Sequence, residues 1–182
     1  MIGRVSTVPP QNSPGQIPPL QIPPLQIPPL QIPLTVRDLA FDDLHELEWS
    51  GGTHHVIALA TALEAALAGD TALVCIELAN GKLVAVGGVD FRKHPAKGEL
   101  WMLSVRETFQ SLGLGTRLIS ALEGRARDHG CSTARIGVEH DNPRALALYR
   151  RLGYTDVGVE LADWAEGDHR YVTVCTMLEK SL

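Results

Sequence analysis

The sequence predicts an α/β domain with a mixed, largely antiparallel central sheet flanked by helices, preceded by a disordered proline-rich tail. Three observations favour this fold class. Segments rich in β-branched residues alternate with helix-like stretches, an Asn-Gly turn joins two neighbouring strands as a hairpin, and two units pass directly from a strand into a capped helix.

The tail, residues 1–34, contains ten of the chain's twelve prolines. Gln-Ile-Pro-Pro-Leu repeats from Gln16, Gln21 and Gln26, with a shortened copy from Gln31. Proline lacks an amide donor and clashes with the preceding turn, so we expect extended polyproline II here and neither helix nor central strand. A disordered product of tandem duplication is the first interpretation, and a ligand for a proline-recognising partner is the alternative.

Residues 35–182 are expected to form one domain, which begins with a strand and two helices. The strand lies near Leu34–Arg37, and the first helix lies near Phe41–Trp49. A longer helix is predicted over His54–Ala68, with Thr53 as its N-cap.

A hairpin and further strands follow. Asn80-Gly81 is the strongest two-residue turn signal, and it joins a β-rich run over Ala72–Leu78 to another over Leu83–Phe91. The remaining predicted strands are Glu99–Val105, Arg135–Val138, Thr155–Val159 and Tyr171–Met177.

The stretch from Leu103 to Thr116 is the most informative part of the chain. A strand-like run breaks into a turn that contains Gly113 and Gly115, and then becomes an amphipathic helix that Gly130 ends. The two turn glycines therefore lie at a helix N-terminus, where unpaired amides and the positive end of the dipole suit phosphate oxygens. The apolar residues of this helix recur four positions apart: Leu118, Leu122 and Ala126.

Two details exclude other phosphate-binding loops. A nucleoside-triphosphate loop needs Gly-Lys followed by Ser or Thr, whereas Thr116 and Arg117 follow Gly115 without a lysine. The dinucleotide fingerprint needs a third glycine, and Leu118 occupies that position. From these residues alone, a capped helix without a ligand remains the alternative.

A second strand-to-helix unit runs from Val138 to Tyr154. Asn142 is a favoured N-cap, Pro143 suits the first helical position, and Gly153 suits the position after the helix. The chain therefore has two capped helices that each follow a strand.

Together, these units resemble the acyl-CoA signature of the GNAT superfamily of N-acetyltransferases. The first pattern is Gln110-x-x-Gly113-x-Gly115, and the second is Asn142-x-x-Ala145-x-x-Leu148-Tyr149-x-x-x-Gly153-Tyr154. The resemblance extends over about residues 35–179, because the order of elements also matches. It implies a single GNAT-like domain that uses acetyl-CoA as cosubstrate.

The resemblance also implies which residues bind acetyl-CoA. The main chain of Leu103 and Val105 would bind pantetheine and the acetyl carbonyl, since family members splay this strand from the next. Many members carry a glycine where this chain has Ser111, which puts the affinity for pyrophosphate in question. The implied cofactor-binding residues are Leu103, Val105, Gln110, Ser111, Leu112, Gly113, Leu114, Gly115, Thr116, Asn142 and Tyr149.

An acid and a base follow from the same resemblance. Tyr149 lies at the family's position for the residue that protonates the departing thiolate. Glu99 matches the position of the base in the histone-acetylating branch. Strand alternation predicts that the Glu99 side chain shares a face with those of Trp101, Leu103 and Val105. The open alternatives for the base are Glu139, His140 and a water relay.

Acidic segments predict the acceptor. Between Asp38 and Glu48 the chain carries five acids and no Lys or Arg, and a second acidic run extends from Glu160 to Asp168. Each run ends at or contains a tryptophan, and carboxylates beside an indole face attract a cationic amine. Solvated surface is the alternative interpretation. The candidate acceptor residues are Trp49, Trp101, Asp163 and Trp164.

The leading functional hypothesis is an N-acetyltransferase that moves the acetyl group of acetyl-CoA directly to a small cationic amine. An aminoglycoside, a polyamine or an amino-acid-like compound would fit. Acetylation of protein N-termini or lysines is one alternative, and a non-catalytic acyl-CoA-binding sensor or scaffold is another.

Composition and residue spacing limit the possible partners, location and metal binding of the protein. The net charge of −5 argues against nucleic acid as a partner. On the predicted helix after Gly115, Glu123 precedes Arg127 at the spacing of a surface ion pair. Three cysteines in apolar or helix-terminal contexts favour reduced thiols and a cytoplasmic location. No apolar run reaches the roughly 18 residues of a membrane span, so we expect a soluble protein, with a homodimer left open. His54 and His55 point about 100° apart on a helix and lack further ligands, which excludes a metal site.

Overall fold

The computed structural model describes residues 33–166 and 169–182, with side chains outside residues 164–169. The predicted tail lies outside this range except for its last two residues, and it remains a prediction. Within the described residues the strands are β1 Leu34–Asp38, β2 Thr71–Leu78, β3 Leu83–His94, β4 Lys97–Val105, β5 Thr133–Glu139, β6 Thr155–Glu166 and β7 His169–Ser181. The α-helices are α1 Gly52–Leu67, α2 Leu114–Asp128 and α3 Pro143–Arg151. Short 3₁₀ helices lie at Phe41–Glu46, Glu48–Ser50 and Glu107–Phe109.

The strands form one sheet in the order β1-β2-β3-β4-β5-β7-β6. The β4–β5 pair is parallel and every other pair is antiparallel, which confirms the predicted mixed, largely antiparallel sheet. The predicted hairpin turn forms as expected, because the Gly81 amide donates to Leu78 O at 2.9 Å and the Lys82 amide donates to Asn80 Oδ1 at 3.2 Å.

The segment before α1 differs from the prediction. The acidic residues near Phe41–Trp49 form two 3₁₀ helices instead of one α-helix. Asp43 accepts from the Ala40 amide at 2.8 Å and from both terminal nitrogens of Arg37, so its carboxylate closes a tight turn. Gly51, not Thr53, is the N-cap of α1. No helix among the described residues is long and apolar enough to cross a membrane.

Two cores lie on opposite faces of the sheet. On one face, α2 buries Leu118, Leu122 and Ala126 at 0% exposure, as the spacing of these residues predicts. A fully buried leucine stabilises the fold by about 2 kcal/mol. On the other face, α1 packs Leu59 and Leu63 against β2 and β3. All three cysteines are buried as free thiols.

Glu123 corrects the prediction of a surface ion pair. It pairs with Arg127 at 3.5 Å, but Glu123 itself is only 4% exposed. Its carboxylate also accepts from Tyr154 Oη at 3.0 Å and from Lys180 Nζ at 2.8 and 2.9 Å. We call Glu123, Arg127, Tyr154 and Lys180 the α2 cluster, after the helix that carries Glu123 and Arg127.

Strands β4 and β5 diverge after a short paired stretch. Their parallel register runs from Lys97 opposite Thr133 to Leu100 opposite Ile136. The remaining residues of the two strands, all of which the structure describes, do not pair with each other. The splay expected from the family resemblance is therefore present. It opens the sheet at its centre, beside the start of α3.

A bulge in β4 corrects one prediction about the site. Trp101 pairs with Gly88 and Ser104 pairs with Val86, so two residues of β4 lie opposite the single residue Gly87. Met102 takes a φ of +54° at this bulge. The extra residue reverses the alternation of side chains.

The faces of β4 are consequently different from those predicted. Trp101 packs against the α1 core, whereas Leu103 and Val105 pack against the α2 core. Glu99 therefore does not share a face with Leu103 and Val105, since regular alternation fails at Met102.

The last two strands are longer than predicted. Strand β6 continues to Glu166 and β7 begins at His169, so Glu160 and Asp163 lie in a strand rather than in a loop. The two strands pair along their length, with Glu160 opposite Cys175 and Asp163 opposite Val172. This long hairpin forms one wall of the opening between β4 and β5.

Candidate active site

A cleft of about 930 Å³ lies where β4 and β5 diverge. Its walls come from the start of α1, from β4 and β5, from the first turns of α3, and from the β6–β7 hairpin. Residues Leu100–Ser104 and Ile136–Glu139 line it on either side of the splay. The cleft is thus lined by Asn142, Ala145 and Tyr149 of the second sequence pattern, whereas Gln110, Gly113 and Gly115 of the first pattern are not among its lining residues.

The loop before α2 has the geometry of an anion site. Gly113 is the N-cap residue, with a φ of +82° that favours glycine. None of the amides of residues 111–116, all of which the structure describes, donates to a loop or turn carbonyl, and the first amides of a helix have no partner within it. A Cβ on Gly115 would approach Leu148 to 3.3 Å, so a small residue is needed where α2 meets α3. Free amides and the helix dipole together suit a phosphate.

Side chains of the loop are placed differently from one another. Leu114 is 3% exposed and points into the core, while Leu112 is 60% exposed. Thr116 is exposed on the first turn of α2. These three residues therefore offer mainly backbone amides to a ligand.

Arg144 ties the loop to α3. Its guanidinium donates to Gln110 Oε1 at 3.0 Å and to Ser111 Oγ at 2.8 Å. Gln110 Nε2 in turn donates to Val105 O at 3.1 Å. Ser111 keeps a φ of +64°, so it adopts the left-handed conformation that glycine has in many family members. Arg144 also brings positive charge to the place where phosphates would lie.

Tyr149 reaches the cleft from α3. Asn142 caps this helix by accepting from the Ala145 amide at 3.0 Å, and Asn142 also lines the cleft. Tyr149 is 8% exposed, and burial raises the pKa of its hydroxyl to about 12. The phenol is therefore protonated at neutral pH and can donate a proton or a hydrogen bond.

Glu99 lines the cleft and lies among three basic side chains. Lys93 Nζ lies 2.6 Å from Glu99 Oε1, His94 Nε2 lies 3.5 Å from Oε2, and Arg135 Nε lies 3.9 Å from Oε2. The Glu99 carboxylate is thus already engaged by Lys93 and Arg135. These contacts favour electrostatic binding over proton abstraction for Glu99.

Arg135 is the centre of a second charged group. Its side chain is 9% exposed, and it forms ion pairs with Glu160 and, at 2.8 Å, with Glu179. Lys97 Nζ also bonds Glu179 at 2.7 Å. We call Glu99, Arg135, Glu160 and Glu179 the cleft cluster. In this cluster the buried guanidinium of Arg135 is surrounded by the carboxylates of the three glutamates.

The predicted acceptor residues separate in space. Trp101 and Asp163 line the cleft, and Asp163 forms an ion pair with Arg170. Trp49 is not among the described residues that line the cleft, since its ring packs under the guanidinium of Arg106 at 4.7 Å. Trp164 belongs to the segment whose side chains lie outside the described part of the structure.

The sequence did not identify Lys93 and His55 as cleft residues, or Arg135 as the cation that pairs with the cleft residue Glu160. The alternation in β5 was the available signal for Arg135, because Ala134, Ile136 and Val138 are core residues and leave the odd positions to the other face. His55 lines the cleft with a buried, unpartnered Nε2, and burial lowers its pKa. No group of three His, Cys, Asp or Glu side chains in the described residues is arranged to hold a metal ion.

Comparison with known proteins agrees with this geometry. The model of the acetyltransferase (GNAT) family matches residues 40–154. Mycothiol acetyltransferase of Paenarthrobacter aurescens is 39% identical over 61 residues, which are 34% of this chain and 19% of that protein. The match therefore covers about a fifth of that relative's length.

Solved structures share the fold. A chimera of Vibrio cholerae spermidine N-acetyltransferase superposes with a TM-score of 0.65 at 17% identity, covering 81% of this chain and 95% of the other. A GNAT acetyltransferase of Elizabethkingia anophelis with acetyl-CoA bound gives 0.62 at 16% identity, covering 82% and 98%. With the family model spanning most of the described domain, the chain belongs to the GNAT family of acetyltransferases.

Proposed function

We propose that this protein transfers the acetyl group of acetyl-CoA to the amine of a small cationic acceptor. The observation that carries the proposal is the cleft between β4 and β5, which brings a protonated tyrosine and several carboxylates to one opening. Gln110 connects the loop before α2 to β4 and, through Arg144, to α3. Family membership supports acetyl transfer as the reaction class.

The residues present fit coenzyme A. The free amides of Ser111–Thr116 and the guanidinium of Arg144 would hold the pyrophosphate. The unpaired edge of β4 around Leu103 would bind pantetheine through its main chain. Val105 has a less direct part, since its carbonyl already accepts from Gln110. When bound, acetyl-CoA would supply the thioester that the amine attacks.

The reaction requires proton transfers at two atoms. A lysine-like amine has a pKa near 10.4, so roughly one molecule in a thousand is neutral near pH 7.4, a cost of about 4 kcal/mol. The site must therefore remove a proton from nitrogen. Tyr149, with a pKa raised to about 12 by burial, would give a proton to the departing sulfur.

Charge in the cleft supports a cationic acceptor. Four carboxylates line it, whereas Lys93 is its only Lys or Arg lining residue among those described: the acids are Glu99, Glu139, Glu160 and Asp163. Such an excess attracts ammonium groups and raises their local concentration. Spermidine is an acceptor in the name of one structural neighbour, which makes a polyamine a reasonable first probe.

Acetylation of a protein N-terminus or lysine is a second candidate, because an open acidic wall would also accept a basic peptide. A non-catalytic acyl-CoA sensor is the candidate of another class. It would bind acetyl-CoA without needing the Tyr149 hydroxyl beside the splayed strands.

An assay of free thiol release separates these candidates. Purified protein is mixed with acetyl-CoA and, in turn, a polyamine, an aminoglycoside, an amino-acid amide, a basic peptide and a neutral amine-free control. The proposal expects thiol release with the small cations and acetylated amine by mass spectrometry. Binding of acetyl-CoA with no thiol release for any amine would favour the sensor, and release with the peptide alone would favour the protein acetyltransferase.

A further inference from the structure

Glu139 occupies the position across the splay from the predicted thioester site. Strands β4 and β5 pair in parallel up to Leu100 opposite Ile136. Three residues further along, Leu103 and Glu139 lie on the two sides of the gap, and both line the cleft. The alternation of β5 places Glu139 on the same face as Arg135, away from the α2 core.

Glu139 differs from the other cleft carboxylates in its partners. Glu99 pairs with Lys93, Glu160 with Arg135, and Asp163 with Arg170. Among the described residues, no Lys, Arg or His lies within ion-pairing distance of Glu139. The Glu139 carboxylate instead accepts a hydrogen bond at Oε2 from Tyr171 Oη, at 3.2 Å.

The described groups that face Glu139 bring no positive charge to it. Cys175 faces it from β7 as a buried thiol, and burial raises the pKa of that thiol, so it adds no charge at neutral pH. The hydrogen bond to Glu139 raises the pKa of Tyr171, which keeps that phenol a donor. Asp141 is the nearest further acid along the chain, and His140 is exposed and absent from the cleft lining.

We propose that Glu139 binds the acceptor ammonium and takes its proton, and that Tyr171 positions the Glu139 carboxylate. The inference rests on the proposed acetyl transfer and names the base for it. Glu99 then serves in binding positive charge, as its ion pairs with Lys93 and Arg135 already show.

The proton balance is complete with these groups. One proton moves from the ammonium nitrogen to a Glu139 oxygen and later to solvent. The neutral nitrogen forms a bond to the acetyl carbon while the carbon–sulfur bond breaks. The second nitrogen proton is lost as the amide forms, and Tyr149 relays one proton to sulfur, so the products are the amide, the free thiol and one proton in solution.

The test begins with an acceptor that the wild-type protein acetylates. We expect Glu139→Gln to lower kcat by about 100-fold, the usual scale for a general base. Affinity for acetyl-CoA and melting temperature should stay near wild type, which shows that the fold and cofactor seat persist. Glu64→Gln removes the same charge from the exposed face of α1 and should leave kcat unchanged.

Chemical rescue gives a second readout. Formate should restore the activity of Glu139→Ala by about tenfold, because it supplies a carboxylate where the side chain was removed. Tyr171→Phe should lower kcat by about fivefold with little change in KM, since only the orientation of the base is affected. A merely structural role for either residue predicts neither the rescue nor the separation of kcat from KM.

The outcomes also separate this inference from the proposed function. If the wild-type protein acetylates an amine and Glu139→Gln keeps its kcat, the assignment of Glu139 is overturned and a water relay or another group is the base. If the wild-type protein acetylates no amine in the panel, the proposed function fails first.

Discussion

The α2 cluster and the cleft cluster both combine glutamates with basic side chains on opposite faces of one sheet, yet they are built in opposite ways. In the α2 cluster the buried charge is the Glu123 carboxylate, 4% exposed and enclosed by donors from Tyr154 and Lys180. In the cleft cluster the buried charge is the guanidinium of Arg135, and the carboxylate of Glu160 is 56% exposed.

The difference teaches how to distinguish a structural charge cluster from a functional one. Donors that enclose a carboxylate leave no room for a ligand, and breaking such a buried pair lowers stability. In the cleft cluster the Glu160 carboxylate stays open to solvent, where an incoming ammonium can bind, although Glu99 and Glu179 are only 15% and 18% exposed. Both clusters combine carboxylates with basic side chains, so the direction of exposure distinguishes their roles.

Two neighbouring tyrosines give the largest expected contrast. The rings of Tyr149 and Tyr154 lie 6.2 Å apart, but only Tyr149 lines the cleft. We expect Tyr149→Phe to lower kcat by about 1,000-fold, roughly 4 kcal/mol, with acetyl-CoA affinity nearly unchanged. Steady-state kinetics and calorimetric titration with acetyl-CoA provide the measurement.

Tyr154→Phe is the matched control. It removes one hydrogen bond to buried Glu123, so the free energy of unfolding should fall by about 2 kcal/mol while kcat is kept. If both variants lost equal turnover, the distinction between the two tyrosines would be wrong.

The α2 cluster should respond in stability and not in catalysis. Glu123→Gln leaves Lys180 and Arg127 without their buried counter-charge, and we expect the free energy of unfolding to fall by about 3 kcal/mol. Denaturant unfolding checks the change, and kcat per folded molecule should match wild type. A loss of kcat larger than the loss of folded protein would place the cluster in the reaction.

Glu160→Gln tests the open face of the cleft cluster. Its side chain is more than half exposed, so stability should change by less than about 0.5 kcal/mol. The KM for a cationic acceptor should rise by about threefold, because one attractive charge is lost in a solvated setting. An acceptor with fewer positive charges provides the control, and its KM should move less.

Acid should weaken the cleft cluster through Glu179. Hydrogen bonds from Lys97 and Arg135 lower the pKa of Glu179 from its ordinary value of 4.5, against the opposing effect of burial. A lowered folded-state pKa contributes stability above pH 4.5, and this contribution disappears as the pH falls through the folded value. In Glu179→Gln the melting temperature should lose about 2 °C less between pH 6 and pH 3 than in the wild type. Equal losses would mean that the pair adds nothing to the acid response.

Local sequence signals predicted the parts of the site that depend on local geometry. Gly113 and Asn142 mark helix starts through caps that involve residues three or four apart. The order of strands and helices along the chain was expected from the family resemblance, and the described elements follow it except that two 3₁₀ helices replace the first helix. These features need no knowledge of distant contacts.

The parts that failed depend on contacts between distant residues. The bulge at Met102 changes the face of every later residue in β4. No residue type in that strand predicts a bulge at this position. Arg135 meets Glu160 and Glu179 only because β5, β6 and β7 come together in the sheet. Charge pairing across strands therefore redirected the interpretation of Glu99, while the alternation in β5 could have pointed to Glu139.

Product analysis in a competition assay tests the central claim most directly. Wild-type protein is incubated with acetyl-CoA and equal amounts of a polyamine and an uncharged alcohol that contains no amine. Mass spectrometry then identifies which compound gains an acetyl group. The account predicts acetylated polyamine, formed with one free thiol per product. Acetyl-CoA that is bound but never consumed, or an acetyl group found on the alcohol instead of the amine, would contradict it.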